Sequence, residues 1–550
     1  MKKVLSILAG TLLSVSAFSQ AFWTHTNYAG AFDATPTARW TDSWTNFTPH
    51  TTNYPAATVT LDTVITANRT LSSDTVYLLD DAFTYVDSTV TLTIEAGTII
   101  RGQGRGALIF NRGSKIMAMG TETNPIVFTS NAPTGSRDYG DWAGVVICGA
   151  AKNNIATSPF ALAEGGIGSV SLNRGLHGGN NDADNSGIMQ YVRIEFPGQA
   201  LGGNNSEING LTLYSVGSGT VIDHIQVSYS GDDSFEWFGG AADAKYLVAF
   251  HGWDDDFDTD NGFRGRVQFG YIVRDSRYAD QSGSNAFESD NDAQGSLRMP
   301  KTRAIFSNVT AIGPNWTGNT DSTNSKFQSG AHIRRNTSIS IYNSIFTGHQ
   351  LRGLYIDGRR TASNYCGDSI ALCGNILVQE PAGKNFLLAS NTDTLCLTNS
   401  AAFNTLAVAD NNDTLASTAL IMLGSTFGNS LTDYDARPMV GSPALTQSCW
   451  AWQTSGQWMG VEDEATVLGL VLYPNPAEGF TTLGFDAQDA GDLNISIIDL
   501  NGRVVRTMNN LQYESGKNTL QIDVQGLSTG IYVVNMNLNN TIRTQKLIIK

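Results

Sequence analysis

The sequence predicts an all-β chain: a parallel β-helix (a solenoid) followed by a small C-terminal Ig-like β-sandwich. Three observations predict it. Only 15% of the 550 residues are charged and 56 are glycine, against about one quarter and roughly 7% in ordinary soluble domains. Such a composition belongs to a β chain with many turns. Short β-branched runs separated by Gly, Asn and Asp recur from about Thr89 to Cys449. From about Leu468 the pattern shifts to strict alternation around tight turns. The net charge of −16 excludes nucleic acid as a partner, because phosphate contacts need a basic face.

Residues 1–19 read as a signal peptide: Lys2 and Lys3, an apolar run Val4–Val15, then Ala17-Phe18-Ser19 before Gln20. The run is too short to span about 30 Å of hydrocarbon. No other segment is apolar enough to do so, which predicts no transmembrane segment in the mature chain and a location outside the cytoplasm. Cys148, Cys366, Cys373, Cys396 and Cys449 are an odd set in an oxidising compartment. The expected pairings are Cys366 with Cys373, which closes a short loop, and Cys396 with Cys449, which closes a longer one. Their spacing fits no zinc finger.

Residues 20–89, with Trp23, Trp40 and Trp44, are expected to cap the first coil, since an open end exposes a sheet edge. The solenoid is expected over 90–450. Val227 to Val248 is 21 residues and Val248 to Ile272 is 24; longer intervals follow, with polar loops inserted. A period in the low twenties with insertions on one side marks stacked coils, none of which buries its apolar face alone. Leu92–Ile100, Asn124–Thr129 and Trp142–Ile147 resemble the opening coils of secreted right-handed parallel β-helix proteins. That resemblance implies fold and leaves function open.

The densest chemistry lies between Gly231 and Gly262. Asp232, Asp233, Glu236, Asp243, Asp254, Asp255, Asp256, Asp258 and Asp260 face a single base, Lys245. The two clusters are one coil apart and should stack on neighbouring rungs about 5 Å apart. Carboxylates that close need raised pKa values or a cation between them. Asp232, Asp233, Asp254, Asp255, Asp256, Asp258 and Asp260 are therefore the candidate metal ligands, and calcium the candidate cofactor. Asp256-x-Asp258-x-Asp260 also has the start of a calcium loop, with Asn261 where that loop has Gly. The clusters Asn180–Asp184 and Glu288–Asp292 read as plain loops.

Gly231-Asp232-Asp233 with His251-Gly252 resembles the paired-aspartate and Gly-His-Gly elements of polygalacturonase-like hydrolases. The resemblance implies Asp232 or Asp233 as general acid, a neighbouring aspartate as base and His251 as a positioning group. It fails in part: Phe250 replaces the first Gly, and Arg266-Val267-Gln268 only approximates that family's basic motif. A calcium-dependent lyase would recruit Arg264 or Arg266. The competing reading is a surface protein that binds extracellular polysaccharide or adheres, with Trp237, Trp253, Trp316, Tyr229 and Tyr271 as stacking platforms for sugars. The sequence favours binding over catalysis.

Residues 451–467 read as a linker, and 468–550 as the sandwich. Asn501-Gly502 between apolar alternations predicts a hairpin, and about seven short strands fit a small sandwich. Tyr473-Pro474-Asn475-Pro476, Ile498–Arg503, Leu527–Tyr532 and the basic, apolar end Gln545–Lys550 closely resemble the type A C-terminal sorting domain of the type IX secretion system of Bacteroidetes. That resemblance implies the type IX secretion machinery as partner, passage through the periplasm, and release or attachment at the outer cell surface.

Overall fold

Two long parallel sheets carry the body, and each coil gives one strand to each. In the computed structural model residues 22–550 are described, apart from 35–36, 156–159, 202–207, 317–320, 380–382, 391, 393, 395, 426, 428–433, 450–466, 488–489, 500–502 and 539–540. The expected signal peptide, the expected linker as far as residue 466 and the expected Asn501-Gly502 turn lie outside the described residues. The central coils alternate Val221–Ser228, Phe235–Gly240, Ala244–Phe250, Phe257–Asp260, Arg266–Val273, Phe287–Ser289, Ile305–Ile312 and Ser329–Ile333. The first, third, fifth and seventh pair in one sheet. The others pair in the second.

Stacking of like on like explains the core. Ile194, Val227, Ala249, Ile272 and Ala311 lie in register along the inside of the first sheet. Leu211, Phe235, Phe257, Phe287, Ala331 and Leu354 do so along the second. All are buried in one continuous cluster. Val227 therefore pairs with Ala249, not Val248 as the periodicity suggested, and the coils there are 22 and 23 residues long. A slip of one residue exchanges the two faces of a strand. Val248 points outward, yet it is fully buried.

What buries it is the N-terminal segment, which lies along the flank of the solenoid rather than over its first coil. The Ala29 amide donates to the Ala444 carbonyl, Gly30 to Asn343, and Ala31 to the Thr310 hydroxyl. Further along, Thr24 and Gln268 exchange two bonds, Asn46 and Gln226 exchange two more, and the Tyr54 hydroxyl donates to Glu195 at 2.9 Å. Trp44, Phe32 and Phe47 pack with the outward Val248, Phe250 and Tyr271 in a second apolar layer. Residues from Val59 onward already form rungs: Val59–Thr60 pairs with Val76–Leu79, and that with Ile99–Gly102. At the far end the helix Ser400–Ala409, capped by the Asn399 side chain, lays Phe403 and Ala407 over the last coils.

Two disulfides tie that end, Cys366–Cys396 and Cys373–Cys449, while Cys148 is free and buried. The expected pairing is replaced because Cys366 closes the helix Arg359–Cys366 whereas Cys373 sits in a rung beside Tyr342. Residues 467–549 form seven strands, antiparallel except where Ala477 meets Ile549. They enclose a core of their own that includes Leu483, Phe485, Ile495, Ile522, Val534 and Leu547. Strands Gly491–Asp499 and Val504–Tyr513 pair as the predicted hairpin requires.

Candidate metal centre on the second sheet

The second sheet turns every other side chain outward, and its outward positions hold the acidic chemistry. Glu236, Asp258, Glu288 and His332 are directly opposite one another on four successive rungs. Phe235, Phe257 and Phe287, one residue earlier, are the inward partners. A repeated Phe-acid dipeptide was thus the readable signal for Glu236 and Glu288. The loop reading of Glu288 gives way to a strand, Phe287–Ser289.

A second ladder runs beside the first, three residues upstream. The Asp255 amide donates to Asp233 Oδ1 at 2.8 Å, the Asn285 amide donates to Asp255 Oδ1, and the Ser329 amide donates to Asn285 Oδ1 at 3.1 Å. Each side chain thus caps the backbone of the next coil and fixes the carboxylates beside the column. Three groups result whose carboxylate oxygens lie within 4.8 Å of one another: Asp232/Asp233/Asp254, Asp233/Glu236/Asp258 and Asp255/Asp258/Glu288. Each could hold a metal ion. Asp258 belongs to two of them, and its Oδ1 is buried with no hydrogen-bond partner among the described residues.

Burial, reinforced by neighbouring carboxylates, pushes Asp233, Glu236, Asp254 and Asp258 well above the usual carboxylate range. Burial also raises Asp255, with Glu288 adding to the rise and Arg274 opposing it. Glu288 is pushed up to about 8 by burial, against the pull of Arg334. A cation would relieve the same repulsion. At the far end the column turns basic. Arg334 contacts Glu288 and pairs with Asp290 at 2.9 Å, and His332 Nε2 lies 3.3 Å from Asp357.

Of the seven predicted ligands, Asp232, Asp233, Asp254, Asp255 and Asp258 enter these groups. Asp256 does not: it turns inward and is fully buried against Arg274, with Nε 2.7 Å from Oδ2. Asp260 accepts from the Asn261 amide and lies outside all three. A calcium loop wraps around its ion, but Phe257–Asp260 is extended, which separates Asp258 from Asp260 by roughly 6.6 Å of chain. Arg266 is on the first sheet, paired with Asp243 at 2.9 Å, and Arg264 clamps Asp182. His251 is buried at a coil corner, stacked on Phe250 at 3.8 Å. Among the expected sugar platforms, Trp237, Tyr271 and Trp316 are core residues. Trp253 and Tyr229 are half-buried.

Stacked parallel rungs with an acidic outward column define a parallel β-helix protein. Residues 63–419 match the family described as the pectate-lyase like beta helix domain, and the chain belongs to it. Residues 471–550 match the secretion system C-terminal sorting domain, which marks the protein as secreted or displayed on the outer surface by the type IX machinery. No helix among the described residues is long and apolar enough to cross a membrane. No curated protein sequence matches the chain. Among solved structures, tailspike protein 2 from Escherichia coli O157:H7 bacteriophage CAB120 is similar at 12% identity and a TM-score of 0.23. That alignment covers 86% of this chain and 64% of the tailspike.

Proposed function

We propose that this protein is a calcium-stabilised, glycan-binding or adhesive protein of the outer surface. The observation behind this reading is the column Glu236–Asp258–Glu288 beside Asp233 and Asp255. Carboxylate oxygens are the ligands calcium prefers, and it takes six to eight of them. A group of three carboxylates leaves coordination positions for hydroxyls or carboxylates of an extracellular polysaccharide.

A second reading, a polysaccharide hydrolase or lyase, draws on the raised carboxyls: an acid kept protonated beside an ionised neighbour is the arrangement of a general acid and base. The family's description as pectate-lyase like also favours it. Arg334 and His332 are then the basic groups nearest the column, in place of Arg264 and Arg266. One experiment separates the two. The full chain is titrated with calcium and terbium, then screened on a glycan array in calcium and in chelator, with bound polysaccharides assayed for unsaturated or new reducing ends. Calcium-dependent capture without product supports binding, and product with turnover supports the enzyme. Absence of metal binding refutes the calcium half of the proposal.

A further inference from the structure

Beside the acidic column, at the corner where the first sheet turns into the second, four half-buried aromatic rings meet. Tyr139, from the loop Arg137–Asp141, is at the centre. Its ring lies 5.4 Å from Tyr229, 5.3 Å from Trp253 and 4.8 Å from Tyr278. His50 of the N-terminal segment closes the far side, 4.3 Å from Tyr229. The chain places this cluster against the column, because Trp253 precedes Asp254 and its amide bonds to Ser230, two residues before Asp232.

The floor of the corner carries polar groups with nothing to bond. Both ring nitrogens of His251 are buried without a partner among the described residues, and so is the Tyr139 hydroxyl. His251 is only 2% exposed and stands edge-on to Tyr229 at 5.3 Å. Its nearest carboxylate, Asp275, is 4.0 Å away and already bound by Arg277. Buried polar atoms are nearly always paired, so three orphans on two rings that both pack against Tyr229 call for a ligand or water. Burial holds His251 neutral, with its pKa pushed down to about 4. It therefore offers one donor and one acceptor nitrogen, the pair a hydroxyl needs. Flat rings with a few convergent polar atoms are the usual lining of a small-molecule site.

We infer that this corner is a subsite for an uncharged sugar ring, which lies against Trp253, Tyr139 and Tyr278 while a hydroxyl reaches His251. The inference rests on the glycan-binding reading and adds to it the site and the neutral character of the bound residue. The test uses the full chain and soluble neutral hexasaccharides of glucose, mannose and xylose, with hexagalacturonate as the charged comparison, read by Trp fluorescence and calorimetry. A neutral oligosaccharide should bind, and Trp253→Leu and Tyr278→Ala should each weaken it about tenfold or more, as central aromatic contacts do. His251→Gln should weaken it less. Melting curves that match wild type certify the variants. If a glycan binds and neither ring variant changes its affinity, the corner is packing only and this inference falls while the glycan reading stands. If only hexagalacturonate binds, and Asp258→Asn abolishes it, the neutral subsite is refuted. If no oligosaccharide binds, both are.

Discussion

Removing the charge of Glu288 tests whether the column is strained without a cation. Burial raises this carboxyl from 4.5 to about 8. A raised carboxyl is protonated in the folded chain and ionised in the unfolded one between those values, so stability is full below pH 4.5 and is lost as pH rises to 8. Two buried histidines run the other way. His251 and His177 are pushed down to about 4 and about 3 by burial, and their penalty fades as pH rises to 6.5, the ordinary histidine value. Above pH 6.5 only the carboxyl slope remains. At 1.36 kcal/mol per pKa unit, Glu288 accounts for about 2 kcal/mol between pH 6.5 and 8. Asp260, also raised to about 8 by burial, adds to it.

The assay is thermal unfolding across that range in chelator and in calcium. In chelator the melting temperature should fall from pH 6.5 to 8, and Glu288→Gln should flatten part of the fall. Arg334 stays paired in that variant through Asp290. Calcium a hundredfold above its dissociation constant should restore about 2.7 kcal/mol. That is a rise of about 3 to 4 °C for a cooperative unit the size of the solenoid, at roughly 2.1 cal/mol/K per residue. A wild-type melting point that is flat from pH 6.5 to 8 in chelator and indifferent to calcium would refute the reasoning.

Three further outcomes follow from the same geometry. Asp256→Ala takes the carboxylate from a buried Arg274, which keeps its bonds to the Gly252, Asp254 and Asn285 carbonyls, and should cost about 3 kcal/mol while leaving calcium affinity unchanged; calorimetry beside urea unfolding checks both. Truncation before Val467 removes a domain with its own core, so circular dichroism should show an intact body while cell fractionation finds it held in the periplasm. Replacing Cys373 and Cys449 with Ser opens a loop that spans 76 residues and should cost about 2–5 kcal/mol, with the loss confined to the last coils in hydrogen exchange.

The coils were legible because inward positions repeat like on like, as Phe235, Phe257 and Phe287 do. The register of the first sheet was not, because the N-terminal segment makes its outer face apolar too. With Val248 and Tyr271 buried outside and Ala249 and Ile272 buried inside, polarity alternation vanishes and a one-residue slip becomes invisible. The same segment explains Trp40 and Trp44, which cover a flank instead of an end. Asp256 and Asp258 read alike as acidic residues in one run. The chain turns the first inward onto Arg274 and the second outward, and that choice depends on a salt-bridge partner in the following coil.

The column shows why acidic residues on rungs differ from acidic residues on turns. On a turn, a carboxylate can swing into solvent and its charge is screened. On a rung, Glu236, Asp258 and Glu288 are held at the spacing of the backbone ladder, about 4.8 Å, and the Asp233–Asp255–Asn285 bonds hold the neighbouring side chains just as firmly. The repulsion cannot relax by movement without unpairing a sheet whose inward side is the solenoid core. It can relax by taking up protons or by taking up a cation. The first makes the site respond to pH and the second makes it respond to calcium. Since both act on the same carboxylates, protons and calcium must compete, and calcium affinity should rise steeply between pH 6 and 8.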